Sequence, residues 1–255
     1  MTRLSAVIIT KNEEANIERC LRSVSWADEI ILVDSESGDA TVEIARSLGA
    51  KIFRPEWRGF GPTKQFAVEQ ARGDWVLSID ADEEVSFTLK NEIMQMLEAE
   101  PPCLGYMLPR KTQFLGRWIL HSGWYPDYVL RLFKRTAGRF TLALVHEKVE
   151  IDGPVGKLHN SLLHYSYPTL EDFTRRQDQY STLGAREMFE AGKRYRPSQL
   201  VFKPVLSFLR KFVLQRGWRD GWEGFLIAGL TANGTLLKYA KLRLLHLNAA
   251  RIKRP

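Results

Sequence analysis

The chain has 255 residues, with 37 lysines and arginines against 30 aspartates and glutamates, so its formal net charge is +7. Hydrophobic residues make up 44% and charged residues 26%, which excludes a mostly disordered chain. The two cysteines, Cys20 and Cys103, are too few for a disulfide framework and favour a reducing compartment. The first apolar run is too short for a signal peptide, and no uncharged apolar run reaches about 18 residues, so we expect no conventional membrane-spanning helix.

Strand and helix patterns alternate over the first hundred residues. Apolar, β-branched runs predict buried strands, and apolar residues at every third or fourth position predict helices between them. Continuous apolar strands that alternate with helices are typical of a parallel sheet covered on both faces, so the fold class is α/β. The predicted strands span residues 4–10, 29–34, 51–53 and 75–79, and the predicted helices span 13–24, 40–48 (with Asp39 as N-cap) and 63–72.

The pattern changes after about residue 100, where strands follow one another without long helices between them. A helix rich in charged residues and glutamine is predicted over 170–191, and a basic segment follows it. The predicted strands of this part span 106–115, 128–134, 145–151 and 161–167.

Charge is distributed unevenly between the two ends of the chain. Residues 193–255 contain 14 lysines and arginines and two acidic residues, a charge of +12, whereas residues 1–192 contain 23 basic and 28 acidic residues, a charge of −5. The sequence therefore predicts two domains, a mildly acidic body over 1–192 and a basic extension over 193–255.

Polar residues follow three of the predicted strands, at 10–14, 34–37 and 80–82. Ligands of open parallel sheets bind beyond the carboxyl ends of the strands. Asp80 and Asp82 lie just past a buried strand, and carboxylates in that position suit Mg²⁺ or Mn²⁺ and the phosphates that such a cation bridges. A solvated acidic turn before a helix that begins near Ser86 is the alternative. The two neighbouring polar strand ends favour the metal site.

Three stretches together resemble glycosyltransferases of family 2. They are Ser-Ala-Val-Ile-Ile-Thr-Lys-Asn-Glu-Glu at 5–14, Val-Asp-Ser-Glu-Ser-Gly-Asp-Ala-Thr at 33–41, and 71–83, which ends in Ser-Ile-Asp-Ala-Asp-Glu. Gly-Trp-Tyr-Pro-Asp at 123–127, Arg-Leu-Phe at 131–133 and Val-His-Glu at 145–147 are similar to the branch that contains bacterial lipopolysaccharide inner-core glucosyltransferases. The resemblance extends through about residue 170.

The resemblance implies a GT-A-type, Rossmann-like and mostly parallel sheet with helices on both faces. Residues 1–100 would form the nucleotide-sugar half and residues 101–192 the acceptor half. The resemblance also implies a nucleotide-sugar donor, a divalent metal ion and inversion at the anomeric carbon. The acidic stretch here is Asp-Ala-Asp-Glu-Glu at 80–84 rather than the more frequent Asp-x-Asp-Asp, which leaves the metal assignment intact.

Specific donor-binding roles also follow from the resemblance. Lys64 would face the sugar nucleotide, Asp80 would lie near the ribose and the metal, and Asp82 would be the main metal ligand. The nucleoside pocket would be lined by Thr10, Asn12 and Glu14, with Asp34 reaching the base.

An inverting transfer requires a carboxylate that removes the acceptor proton and positive charge over the departing diphosphate. Arg131 is a candidate for the diphosphate because its guanidinium can bind phosphate oxygens in pairs, and a surface arginine is an equal alternative. We predict Asp127 as the base, because it resembles the acidic position that family members place before a Leu-Arg pair. Glu147 is the competing base, and Pro126-Asp127 as a plain turn is the third possibility. His146 is either a structural histidine or a residue that contacts the diphosphate or the metal.

The basic extension has an amphipathic pattern. Between Gln199 and Gln215 the polar residues fall on one helix face, and Gly224–Leu237 is an uncharged run of 14 residues. Basic amphipathic helices with tryptophans favour anionic membrane surfaces, and a helical cap on the catalytic domain is the alternative. We expect no nucleic acid partner, because no nucleic-acid-binding motif accompanies the charge. The residues of the predicted polar face are Lys203, Ser207, Arg210 and Lys211.

These observations predict a hexosyltransferase on the cytoplasmic side of the inner membrane, attached peripherally. We expect it to move a hexose, glucose being favoured, from a UDP-sugar to a lipid-linked glycan such as the lipopolysaccharide inner core. The alternatives are a transferase for another envelope acceptor, such as a polyprenyl-linked sugar, and a non-catalytic adaptor that binds a sugar nucleotide or a lipid. The Asp80 and Asp82 pair argues against an adaptor, which has no need of a metal site.

Overall fold

The computed structural model describes residues 2–99, 101–141 and 147–252. The chain divides into two compact units. Unit 1 comprises residues 1–111 and 126–165, and unit 2 comprises residues 112–125 and 166–255.

The first part of unit 1 follows the alternation expected from the sequence. The strands begin and end within one residue of their predicted bounds, whereas the first helix begins at Ile17 instead of residue 13. The prediction of Asp39 as N-cap is wrong by one residue, because Ala40 is the N-cap of the helix at Thr41–Ser47 and Asp39 accepts a hydrogen bond from the backbone N–H of Thr41 from one position earlier. Ser86 is the N-cap of the helix at Phe87–Glu98, and its hydroxyl oxygen accepts a hydrogen bond from the backbone N–H of Leu89. The elements are β1 (Leu4–Thr10), α1 (Ile17–Ser23), β2 (Glu29–Asp34), α2 (Thr41–Ser47), β3 (Lys51–Phe53), α3 (Phe60–Gln70), β4 (Trp75–Asp80), β5 (Glu83–Val85) and α4 (Phe87–Glu98).

The later elements are mainly strands and then helices, as the change in pattern predicts. The strand predicted over 145–151 is described only from residue 147 onward, where Val149–Ile151 is a strand. The elements are β6 (Gly105–Phe114), β7 (Arg117–Trp118), β8 (Asp127–Lys134), β9 (Gly138–Phe140), β10 (Val149–Ile151), β11 (Val155–Lys157), β12 (Leu162–Tyr167), α5 (Leu170–Glu190), α6 (Gln199–Leu209), a π-helical turn at Arg210–Leu214, a 3-10 turn at Gly217–Asp220 and α7 (Gly221–Ile252).

The main sheet has the strand order β3-β2-β1-β4-β8-β6-β12-β5. Its first four strands are parallel, and antiparallel strands beginning with β8 extend them. In the parallel part Thr10 is the register partner of Asp34, and Ile9 is the partner of Asp80. The carboxyl ends of β1, β2 and β4 therefore meet at one edge of the sheet, as predicted.

Side chains of the parallel strands alternate between two apolar layers, which is the period of two expected for a strand. Ala6 and Ile8 of β1 pack into the layer that includes α1, α2 and α4, whereas Val7 packs into the layer that includes α3. Helices therefore cover both faces of the parallel core, and the predicted α/β fold of the GT-A type is confirmed.

An edge contact at Glu29 ties the start of β2 to the neighbouring segments. Its carboxylate accepts hydrogen bonds from Ser5 Oγ at 2.6 Å, Lys51 Nζ at 2.7 Å and the backbone N–H of Arg72 at 2.6 Å. Burial alone would raise the pKa of Glu29, but these donors outweigh it and lower the pKa from 4.5 to about 2.

Unit 2 is built around aromatic packing and paired helices. Phe173 of α5 contacts the rings of Phe114 and Tyr167, with centroid distances of 5.1 and 5.0 Å. Ile227 of α7 lies in the same buried cluster. None of the helices formed by the described residues is both long enough and apolar enough to span a bilayer.

The polar face predicted for the segment after residue 199 is divided in the structure. Lys203 and Arg210 are exposed. Ser207, in contrast, lies 3.4 Å from the hydroxyl of Thr235, and Lys211 Nζ donates a hydrogen bond of 2.9 Å to the carbonyl of Ser122. Two residues of the predicted face are thus exposed, whereas Ser207 contacts α7 and Lys211 contacts the backbone at Ser122.

Candidate active site

Asp34 and Thr10 lie side by side where β2 and β1 end. Asp34 is fully buried, and its Oδ2 atom lies 3.0 Å from Nε of Arg54. The backbone N–H of Ser37 also donates to the Asp34 carboxylate, at 3.2 Å. The Thr10 hydroxyl is buried, and no hydrogen-bond partner for it occurs in the part of the chain that the structure describes. A buried hydroxyl without a partner is costly, so this strand end suits a polar ligand.

Asn12 and Glu14 hold the loop after β1 against the loop after β2. Asn12 adopts a positive φ of 54°, its backbone N–H donates to Ser37 Oγ at 2.9 Å, and its side-chain oxygen accepts from the N–H of Gly38 at 2.8 Å. Glu14 accepts from the N–H of Ala40 at 3.1 Å. These side chains shape the strand-end loops, whereas Thr10 and Asp34 lie on the strands themselves.

Asp80 is the acidic centre of the site. Its Oδ1 atom lies 2.9 Å from Nζ of Lys64, and its Oδ2 atom accepts a hydrogen bond from the Arg131 guanidinium. Burial alone would raise the pKa of the Asp80 carboxyl, but the charges of Arg131 and Lys64 lower it well below its ordinary value. Nζ of Lys64 also lies 2.9 Å from Oε1 of Glu147. The predicted residues Lys64, Asp80, Arg131 and Glu147 are thus brought together.

Glu83 connects this centre to Asp127, the predicted base. It is fully buried, and its Oε2 atom accepts the backbone N–H of Asp80 at 2.9 Å. Its Oε1 atom accepts from Arg131 at 2.9 Å and from Arg110 at 3.3 Å. Arg110 in turn donates to Oδ2 of Asp127 from Nη2 at 2.6 Å and from Nε at 3.0 Å.

Seven side chains therefore form a continuous ion-pair chain of alternating charge. With four carboxylates and three cations it carries one net negative charge. Each interior member contacts two opposite charges, which offsets the cost of burying it. The members, in order, are Glu147, Lys64, Asp80, Arg131, Glu83, Arg110 and Asp127.

A β-bulge at Arg131 creates this arrangement. Tyr106 pairs with Leu132, but the next residue of β6, Met107, pairs with Leu130, so Arg131 is the extra residue on β8. After the bulge the register sets Arg110 opposite Asp127. Bulges re-aim side chains beside active sites, and this one directs Arg131 toward two carboxylates.

Arg131 is buried, which excludes the alternative of a surface arginine. Burial alone would lower the pKa of its guanidinium, but Asp80 and Glu83 outweigh burial and raise it. Its Nε atom is buried and has no hydrogen-bond partner within the described ranges. This geometry fits a residue that positions Asp80.

Asp82, the predicted main metal ligand, pairs with a histidine. Its Oδ2 atom lies 3.3 Å from Nε2 of His164, which β12 places beside β5. Among residues 2–99, 101–141 and 147–252, no group of three or more His, Cys, Asp or Glu side chains forms a metal site. The chemistry still fits Mg²⁺ or Mn²⁺, since such ions bind through one or two carboxylates together with substrate phosphates. His146 lies outside the described residues.

Sequence reasoning missed three residues of this site. Glu83 stood in the acidic stretch beside Asp80 and could have been found there. Arg110 and His164 join the site only through the pairing of β6 with β8 and of β12 with β5, for which the sequence carries no local signal.

Comparison with known proteins gives a consistent match. A family model described as "Glycosyl transferase family 2" matches residues 5–148. The lipopolysaccharide core biosynthesis glycosyltransferase LpsC of Rhizobium meliloti is 35% identical over 260 residues, which cover 97% of this chain and 94% of that protein. An uncharacterized glycosyltransferase of Rickettsia typhi is 32% identical over 264 residues, with coverages of 99% and 90%.

Among solved structures, Staphylococcus aureus TarS 1–349 in complex with UDP-GlcNAc is 14% identical with a TM-score of 0.46, covering 97% of this chain and 92% of that chain. A likeness of this size adds nothing to the sequence match.

Proposed function

Because the chain belongs to glycosyl transferase family 2, we propose that it moves a hexose, glucose being favoured, from a UDP-sugar to a lipid-linked glycan with inversion at the anomeric carbon. The observation that carries the proposal is the ion-pair chain around Asp80, which passes the end of β4 and leads to the exposed carboxylate of Asp127. The similarity to LpsC supports the lipopolysaccharide core as the acceptor.

In this proposal the nucleoside binds at the ends of β1 and β2. The unpartnered Thr10 hydroxyl and the Asp34 carboxylate are the polar groups available to the ribose and the base. Asn12 and Glu14 act by holding the flanking loops. Lys64 and Arg131 supply positive charge beside the diphosphate, and Arg131 also positions Asp80.

We assign Asp82 as the carboxylate that would hold Mg²⁺ or Mn²⁺. Asp80 would be the second carboxylate near the ion. The ion, when bound, neutralises the charge that develops on the departing diphosphate. His164 orients Asp82 through the 3.3 Å contact between Nε2 and Oδ2.

Asp127 is the proposed base. Its side chain is 44% exposed, and both hydrogen bonds from Arg110 fall on Oδ2, which leaves Oδ1 for an acceptor hydroxyl. The Arg110 fork fixes the carboxylate in one orientation. Glu147 is more buried and accepts from Lys64, so it is the second choice. As the bond to the diphosphate breaks, the acceptor oxygen bonds to the anomeric carbon and its proton passes to Asp127.

Because the acceptor is lipid-linked, we place the enzyme on the cytoplasmic side of the inner membrane as a peripheral protein. A basic extension of +12 charge suits an anionic lipid surface.

A donor screen tests the proposal. Truncated lipopolysaccharide is incubated with the purified chain and one of several UDP-sugars, with Mn²⁺ or with a chelator, and the product mass and anomeric configuration are measured. We expect one hexose added from UDP-glucose, with inverted configuration and only when metal is present. Transfer to polyprenyl phosphate alone would instead support another envelope acceptor. Absence of both transfer and donor hydrolysis would support an adaptor.

Separate Asp127→Asn and Glu147→Gln enzymes test the base. We expect Asp127→Asn to lower kcat about 100-fold or more with donor binding retained, and Glu147→Gln to lower it much less. Near-normal turnover of Asp127→Asn would overturn the assignment.

A further inference from the structure

A stripe of apolar side chains on α6 and the π-helical turn is exposed. Helix α6 has no buried residue. The members recur at intervals of three or four residues and are 45–77% exposed. Spacing of this kind places them on one side of the segment, so they form a continuous apolar surface. This "apolar stripe" consists of Val201, Phe202, Val205, Leu206, Leu209, Val213 and Leu214.

Two aromatic side chains of the same segment pack against α7. The rings of Phe208 and Phe212 stack on each other with centroids 5.4 Å apart. Both contact Phe225 of α7, at 5.8 and 5.9 Å. These rings therefore anchor the segment to α7, while the side chains of the apolar stripe stay 45–77% exposed.

Two tryptophans and several basic residues border the stripe. Trp218 and Trp222 are both more than half exposed, and Trp222 stacks on Phe225 with centroids 5.5 Å apart. Tryptophan is typical of the headgroup level of a membrane, where its ring is apolar and its N–H stays wet. The exposed basic residues between Gln199 and Asp220 are Lys203, Arg210, Arg216 and Arg219.

The acidic side chains of the basic extension are largely buried. Asp220 and Glu223 are the only carboxylates in residues 193–255. Asp220 is 3% exposed and accepts hydrogen bonds from the backbone of Leu120 and His121. Glu223 is mostly covered and pairs with Arg117 at 3.5 Å. The exposed charged residues in the described part of 193–255 are thus all basic.

We propose that the apolar stripe inserts into the interfacial region of an anionic membrane surface. The two tryptophans would then lie at headgroup level, and the four basic residues would contact lipid phosphates. Apolar residues flanked by basic ones and exposed tryptophan are the combination that interfacial helices use. A second copy of the chain is disfavoured, because a twofold contact would bring two positive surfaces together. A nucleic acid would use the charge but not the stripe. Lipid binding itself does not depend on the proposed transferase function, although the benefit of meeting a lipid-linked acceptor there does.

Vesicle flotation of the full chain tests the proposal. Vesicles of phosphatidylcholine alone are compared with vesicles that also contain phosphatidylglycerol, at physiological salt. We expect binding to the anionic vesicles only. Phe202→Ser should weaken it about tenfold or more, and Arg216→Gln about fivefold. The matched controls are Phe87→Ser and Arg58→Gln, which alter equally exposed residues of unit 1 and should leave binding unchanged (Phe202 is 65% exposed and Phe87 74%).

Circular dichroism and thermal unfolding confirm that each variant is folded. Equal binding by Phe202→Ser and Phe87→Ser would overturn the proposal. So would a wild-type dimer that Phe202→Ser dissociates in the absence of lipid, or binding to duplex DNA or RNA without binding to anionic vesicles. Transfer to a water-soluble acceptor fragment is measured in parallel and should be unchanged in Phe202→Ser. A wild-type chain that floats but transfers no sugar would refute the proposed function and leave the lipid surface standing.

Discussion

Replacing Glu83 with glutamine removes one charge from the middle of the ion-pair chain and keeps the side-chain volume. The wild-type carboxylate accepts hydrogen bonds from Arg110, from Arg131 and from the backbone of Asp80. In Glu83→Gln each arginine retains a single carboxylate partner. The amide oxygen of the new glutamine can still accept a hydrogen bond, but the amide NH₂ group lies against N–H donors and cannot accept from them.

The expected cost follows from the number and burial of these contacts. A hydrogen bond to a charged group contributes about 1.5–3 kcal/mol, and removing one member of a buried ion pair costs about 3–5 kcal/mol. Because glutamine preserves part of the hydrogen bonding, we expect the free energy of unfolding to fall by about 2–3 kcal/mol. For a chain of this size that corresponds to a fall in Tm of roughly 5–10 °C. We also expect kcat to fall about tenfold or more, since Asp80 and Arg110 lose a shared support.

Urea unfolding of wild type and variant measures the change in stability. Glu18→Gln is the matched control, because Glu18 pairs with Arg22 at 2.7 Å on the exposed surface of α1. An exposed pair of this kind is worth about 0.5 kcal/mol or less. If Glu83→Gln lost no more stability than Glu18→Gln, the ion-pair chain would have no energetic role and the reasoning would be refuted.

Three further changes test other parts of the molecule. Asp82→Asn should raise the Mn²⁺ concentration for half-maximal transfer about tenfold or more while Tm changes little; an unchanged metal midpoint would count against Asp82 as ligand. The pKa of Glu29 is about 2 in the folded chain, against 4.5 for an unperturbed glutamate. Its contribution to the free energy of unfolding is therefore complete above pH 4.5 and is lost as the pH falls toward 2. Glu29→Gln should therefore lower stability by about 2 kcal/mol at neutral pH and much less at about pH 2, as urea unfolding at both pH values would show. Phe173→Ala should cost about 3–5 kcal/mol in the same assay, whereas the exposed Phe87→Ala should cost under about 0.5 kcal/mol.

The parallel core and its polar edge were predictable because their signals are local. A strand buried on both faces is a continuous apolar run, and the residue at which the run stops marks the strand end. That is why the bounds of β2 and the positions of Asp34 and Asp80 could be expected from the sequence. Lys64 was expected from the family resemblance, but its contact with Glu147, 83 residues away, was not.

The remainder of the site depends on register, which local patterns do not specify. Without the bulge at Arg131, the register that begins with Gly105 opposite Phe133 would set Arg110 opposite Tyr128 instead of Asp127. A one-residue shift of this kind moves every later side chain to a new partner. The same limit applies to α6, because its helical periodicity shows two faces but only packing against α7 shows which one is covered.

The hydrogen bonds between the loops after β1 and β2 have a consequence for opening motions. Asn12 is bonded to Ser37 and Gly38, and Glu14 is bonded to Ala40 and, through its backbone, to Asp39. Displacement of either loop alone would break bonds that also restrain the other. We therefore expect the two loops to open and close together, so that a single equilibrium controls access to the strand ends.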